Sequence, residues 1–293
     1  MSFKPIDRVP PCPALPGTGL LAVRGRDAGA FLQAQSMNDV AALAVGQWHW
    51  NGLLTPKGRV IFLFALARTG EEAYLVIAPD AGADELKAQL QRFVFRSKLV
   101  LDASPALVAA AAPGQAPGAG HVLLDGGEGA IGLDLGGEGG PRGLWLLPPE
   151  HPALAPEDPA TSAEWRLADL AHGLPRLSPG QREAWTPQML SLDRLGAFSL
   201  KKGCYPGQEI VARTHYLGQA KRELRRLSAA APLAEGAPVA GPDGLEQGRL
   251  VCVASHGDRH EALAVLPAGL DPAATLSAGQ PLGRLPLLGG LAR

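Results

Sequence analysis

Thirty-seven glycines and 27 prolines punctuate the 293 residues of this chain. Glycine loosens the backbone, while proline fixes φ and removes a hydrogen-bond donor. Their density favours many turns and short elements over long helices. A hydrophobic fraction of 46% and a charged fraction of 19% suit a folded chain rather than a disordered one. The length exceeds one typical core and predicts two or three domains of about 100 residues each.

Formal net charge is −1, so the molecule as a whole is no general polyanion binder. The opening stretch "MSFKPIDRVPPCPALPG" has no apolar run of the kind a secretory signal carries, and no run approaches the roughly 20 residues needed to cross a bilayer. Cys12, Cys204 and Cys252 are widely spaced and odd in number, a pattern of free thiols in a reducing compartment. The expectation is a cytoplasmic protein without a membrane partner.

Local patterns predict the elements. "LLAV" from Leu20 reads as a strand, and "GRDAGAFLQAQ" as a helix entered at Asp27, a favoured N-cap residue. "RVIFLFALA" and "AYLVIA", separated by "RTGEE", read as a hairpin. Leu86, Leu90 and Phe93 recur at helical spacing and predict a helix with an apolar face, followed by a strand in "KLVLDA". "HVLLDG" and "RGLWLLP" are further strand candidates. "SAEWRLADLAHG" reads as a helix stopped at Gly173-Leu174-Pro175. Beyond Arg226, short apolar runs such as "GRLVCVAS" and "HEALAVLP" alternate with Gly- and Asp-rich turns, predicting a small all-β barrel or sandwich.

The chemistry concentrates at residues 201–213, "KKGCYPGQEIVAR". Neighbouring cations and a helix N-terminus lower a thiol's pKa. Cys204 has Lys201 and Lys202 beside it, with Gly203 and Gly207 on either side. These residues alone suit a reactive thiol and a tight structural turn equally. Cys252, within "LVCVA", reads as a small buried hydrophobe, and Cys12, flanked by prolines, as part of an exposed segment. Residues 201–226 carry Lys201, Lys202, Arg213, Lys221, Arg222, Arg225 and Arg226 against Glu209 and Glu223. Such an excess could hold a polyglutamate tail, a carboxylate or an RNA backbone, or be a solvated basic face. The seven histidines are scattered and form no recognisable metal set, so no metal site is expected.

The run Lys202-Gly203-Cys204-Tyr205-Pro206-Gly207-Gln208-Glu209 resembles the K-G-C-[FY]-x-G-Q-E signature of the YgfZ family of folate-binding proteins. These are relatives of the glycine-cleavage T-protein, an aminomethyltransferase. "FLQAQSMNDV", "GLLTPKGRVIF", "LDRLGAFSLKKGCY" and "VARTHYLGQAKREL" agree with the family in the right order. The resemblance implies an α+β, T-protein-like fold of three domains, with two α+β lobes around a central folate channel and a C-terminal β-barrel. Residues 1–47 and 104–219 would form a discontinuous first lobe carrying the motif, 48–103 an inserted lobe, and 220–293 the barrel.

It further implies a tetrahydrofolate or derivative as cofactor, with no permanently bound metal, and iron–sulfur enzymes or their assembly factors as partners, including those of tRNA thiomodification. Cys204 would be the functional thiol, with Lys202 favouring its thiolate. Gly203 and Gly207 would shape the loop, Tyr205 would belong to the motif, and Gln208 and Glu209 would hold it or contact folate. Asp169, Gln188, Arg213, Lys221 and Arg222 would contact the folate. One thiol cannot hold a stable cluster, so any cluster contact would be transient or shared.

Some positions depart from the pattern. Arg59-Val60-Ile61 stands where aminomethyltransferases carry an acidic pair, which speaks against classical methylene transfer. Ala171 replaces the T-protein glutamate, Met37 a common threonine and Ser191 a common asparagine. Two rival readings remain. One is a folate-dependent one-carbon transferase or demethylase of the aminomethyltransferase type, with Cys204 as nucleophile or Glu209 as proton carrier. The other is direct tRNA binding through residues 201–226.

Overall fold

Alternation of side chains along strands builds the first layer. In the computed structural model, which describes residues 3–115, 118–218 and 220–293, a five-stranded antiparallel sheet has the order Gln47–Leu54, Val60–Gly70, Ala73–Pro79, Thr18–Arg24, Val100–Asp102. Leu63, Ala65 and Ala67 face the central core, while Phe62, Phe64 and Leu66 face the opposite way. That second face is covered by helix α1 (Ala28–Gln35) and helix α2 (Ala83–Gln91), through Phe31, Leu32, Leu86 and Leu90. A strand buried on both faces reads as a near-continuous apolar run, which explains "RVIFLFALA".

This sheet crosses the boundary expected at residue 47, because Thr18–Arg24 pairs with both Ala73–Pro79 and Val100–Asp102. Asp27 does precede α1, but it makes no side-chain cap; its Oδ2 accepts from the backbone N of Lys98 at 2.6 Å. Helix α2 ends at Gln91, so Phe93 is not on its buried face and stands 37% exposed.

A second five-stranded sheet has the order Lys4–Pro5, Leu124–Asp125, Ile131–Asp134, Arg142–Leu147, Val108–Pro113. The beginning of the chain thus pairs with residues far along it. Cys12 is fully buried rather than exposed, because Cys12–Pro13 pairs with Leu154–Ala155. Helix α3 (Pro159–Ala171) starts at Asp158, whose carboxylate caps the N–H groups of Ala160 and Thr161. Its Trp165, Leu167 and Leu170 enter the central core.

The C-terminal module is a closed barrel of six strands, from Arg222–Ala229 to Pro281–Leu285. Leu227, Leu250 and Leu266 fill its interior. Leu224, Val251, Cys252 and Val265 from the same strands reach the central core, so Cys252 is the small buried hydrophobe its strand pattern suggested. Beyond the barrel the chain turns back inward. Leu288 N donates to Ala171 O at 2.8 Å and Arg293 N to Leu195 O at 3.3 Å. Trp50 Nε1 donates to Leu291 O at 2.9 Å, and Leu291 is 2% exposed. Among the described residues no helix is long and apolar enough to cross a membrane.

Candidate functional site

The motif loop is fixed by two glycines that let two backbones touch. Gly207, at the start of helix α4 (Gln208–Leu217), has φ +79°. A Cβ there would lie 2.6 Å from Thr55 O and 2.8 Å from Gly58 Cα. Gly58, in the turn Thr55–Gly58, has φ +68°, and a Cβ on it would meet Ile210 Cβ at 2.9 Å. Gly58 N donates to Thr55 O at 2.9 Å, closing that turn. The "TPKG" turn and the N-terminus of α4 therefore dock face to face. Gly203 has open space around it, so it does not shape the loop as expected.

Lys202 is only 6% exposed. Its Nζ donates to the carbonyls of Gln33, Ser36 and, at 3.1 Å, Asn38. Burial lowers its pKa to about 8, with Asp39 opposing. Three acceptors match the three N–H bonds of an ammonium, and Nζ also sits 4.8 Å from the Tyr205 ring centroid. Through these bonds Lys202 ties the motif to the end of α1 and the turn after it.

Around this anchor, Gln208 Nε2 donates to Lys202 O at 3.1 Å. Tyr205 is buried with its hydroxyl 3.4 Å from Ser199 O, and burial pushes its pKa up to about 12. Glu209 is exposed in the first turn of α4. Of the three cysteines only Cys204 is exposed. Cys12 and Cys252 are buried, each with a pKa raised by burial to about 12. The arrangement presents one accessible thiol on a rigid loop.

The expected folate contacts scatter. Asp169 is 1% exposed and uses both oxygens internally, Oδ1 to Arg142 at 2.6 Å and Oδ2 to Arg176 at 2.9 Å. It belongs to a buried ionic network, with no lone carboxylate to offer a ligand. Gln188 is different: Nε2 donates to Val211 O at 2.8 Å, while Oε1 is buried and accepts no hydrogen bond among the described residues. Arg213 and Lys221 are exposed, and Arg222 donates to Gln247 O at 2.7 Å.

The basic stretch 201–226 also loses much of its free charge. Lys202 is buried, Arg225 pairs with Glu223, and Arg226 pairs with Glu261 at 2.7 Å. Arg59, which stands in place of an acid, donates to Ala184 O at 2.6 Å and reaches Met189 Sδ at 3.8 Å. Ser191 has φ +49°, a left-handed conformation that asparagine adopts more readily than other side chains. Met37 is fully buried against Gly52.

Sequence reasoning missed a buried polar cluster beside the motif. Asn38 Nδ2 donates to Trp50 O and Gly196 O. Asn51 Oδ1 accepts from the N–H groups of Asn38 and Gly52, leaving Asn51 Nδ2 to donate to His49 Nε2 at 3.2 Å. His49 is thereby held neutral, and burial lowers its pKa to about 4. Asn51 amid the apolar residues of the strand Gln47–Leu54 was the available signal. Among the described residues no three His, Cys, Asp or Glu side chains converge to hold a metal ion.

Two α+β layers closed by a six-stranded barrel make this a protein of the aminomethyltransferase T fold. Across 96% of this chain and 85% of the other, it superposes with TM-score 0.70 and 17% identity on the glycine cleavage system aminomethyltransferase T from Bartonella henselae. The tRNA-modifying protein YgfZ of Vibrio vulnificus strain YJ016 is 30% identical over 226 residues, covering 74% of this chain and 69% of that protein. The one from Colwellia psychrerythraea is 27% identical over 221 residues, covering 70% and 68%. The chain belongs to the YgfZ family. No family model matches it.

Proposed function

We propose that this chain is a tetrahydrofolate-binding accessory protein of tRNA modification that presents Cys204 as its working thiol in support of iron–sulfur enzymes. The carrying observation is the contrast among three cysteines: two are buried, and the one in the K-G-C-Y-P-G-Q-E loop is exposed on a loop anchored by Lys202 and by Gly207. Relatives bearing the name tRNA-modifying protein supply the process, and the aminomethyltransferase fold supplies the folate.

The residues fit a folate in one respect. Among the described residues no donor reaches buried Gln188 Oε1, and the amino edge of a pterin is such a donor. Gln188 would then orient the pterin, while exposed Arg213 and Lys221 are free to meet glutamate carboxylates. Bound folate would supply one-carbon chemistry. Arg59 in place of an acid, its guanidinium held by Ala184 O, favours binding over methylene transfer.

Calorimetric titration of tetrahydrofolate under reducing, anaerobic conditions into wild type and Cys204→Ala tests this. The expected result is equal affinity in both, with support of an iron–sulfur tRNA-modifying enzyme lost in Cys204→Ala. No binding to wild type overturns the folate reading, and undiminished enzyme support in Cys204→Ala overturns the role of the thiol.

A further inference from the structure

The segment after α2 reads Arg92-Phe93-Val94-Phe95-Arg96-Ser97-Lys98. It displays its rings instead of burying them: Phe95 is 87% exposed and Phe93 37%, and Val100 just beyond the segment is 66% exposed. From Leu86 to Leu101 the chain holds Lys87, Arg92, Arg96 and Lys98 and no carboxylate, although the molecule as a whole is near neutral. Arg24 and Arg26, each with a side chain 60% exposed, lie on the adjoining strand and turn, since Arg24 pairs with Val100; they make loose, solvent-exposed ion pairs with Asp102 at 3.5 Å and Asp27 at 3.7 Å. Among the described residues Arg96 and Lys98 form no ion pair.

The segment is held firmly from beneath. Val94 and Leu99 pack on the helix-side core, and Lys98 N donates to the Asp27 carboxylate. The backbone that carries the exposed rings is thus held in place. Exposed apolar area of this kind marks a binding face, and its charge excess selects an anionic partner.

We infer that residues 92–100, with Arg24 and Arg26, form a docking surface for single-stranded RNA. Unpaired bases stack on the Phe93 and Phe95 rings, and the surrounding cations meet the phosphates. A cation stands next to each ring along the chain, in Arg92-Phe93 and Phe95-Arg96. That alternation matches the base–phosphate repeat of a strand better than the continuous apolar layer a lipid surface requires. The surface is separate from the motif. It braces the N-terminal end of α1 at Asp27, whereas Lys202 is tied to carbonyls at the other end, Gln33 and Ser36, an eight-residue helix or roughly 12 Å away. The proposed role in tRNA modification enters only in choosing RNA as the polymer.

Fluorescence anisotropy with a labelled single strand of about twelve nucleotides, against the same sequence as a duplex, tests the surface. Wild type should prefer the single strand. Phe93→Ala combined with Phe95→Ala should weaken it by about thirtyfold or more, with tetrahydrofolate binding and thermal unfolding unchanged. Arg96→Gln with Lys98→Gln should lower the slope of log affinity against log salt by about 1.4. Wild-type affinity in both variants, preference for the duplex, or binding of wild type only to anionic phosphatidylglycerol vesicles would each overturn the inference. Ring-dependent RNA binding in a protein that fails to bind tetrahydrofolate would leave this surface standing while the folate reading falls.

Discussion

Gly203 and Gly207 sit in one loop under opposite constraints. Gly207 needs its positive φ and its missing Cβ, because Thr55 O and Gly58 lie within 3 Å of where that carbon would be. Gly203 faces open space. Gly207→Ala should therefore cost about 2–4 kcal/mol in urea unfolding, while Gly203→Ala should stay within about 0.5 kcal/mol of wild type. Equal effects would mean the turn at residues 55–58 does not dock as described. In the sequence the two glycines look alike, since the difference comes from a turn some 150 residues away. Cys204 stands out in the sequence because the residues of its motif are local. The burial of Cys12 was not, because the strand covering it lies at Leu154–Ala155, and Asp169 was misread because both arginines that hold it come from elsewhere in the fold.

The strand Gln47–Leu54 combines a structural face with a buried polar one. Trp48 and Trp50 enter the central core, and His49 and Asn51 alternate with them and hydrogen-bond to each other. The His49 pKa falls from an ordinary 6.5 to about 4 in the folded chain, so between these values the unfolded chain binds more protons. The sign is fixed: this group's contribution to stability is present above pH 6.5 and is lost as pH falls toward 4, by about 2–3 kcal/mol. The stability difference between wild type and His49→Gln, measured by urea unfolding at pH 7 and pH 4, should shift against wild type by that amount on acidification. A constant difference would show that the ring is solvated. The hairpin itself was readable from its apolar runs. Helix α2 was readable except at its end, where spacing assigned Phe93 to a buried face that the chain abandons after Gln91.

At the scale of the molecule, one core draws on every part: Trp50, Leu133, Leu170, Val251 and Leu291 share it. The barrel was visible in the sequence as a change of texture, whereas "PLLGGLAR" carries no pattern announcing that its leucine is buried. Leu291→Ala should cost about 2–5 kcal/mol and lower the unfolding temperature of barrel and sheets together, with tryptophan fluorescence and far-ultraviolet dichroism changing in one transition. Separate transitions would mean that the modules are energetically independent. The inward return of residues 287–293 also bears on synthesis. The strands of the first sheet leave the ribosome early, yet the partner of Trp50 Nε1 is the carbonyl of Leu291. The part of the core that this sheet contributes therefore waits, incompletely sealed, until residues 287–293 have been made, and it is most exposed to chaperones and proteases during that interval.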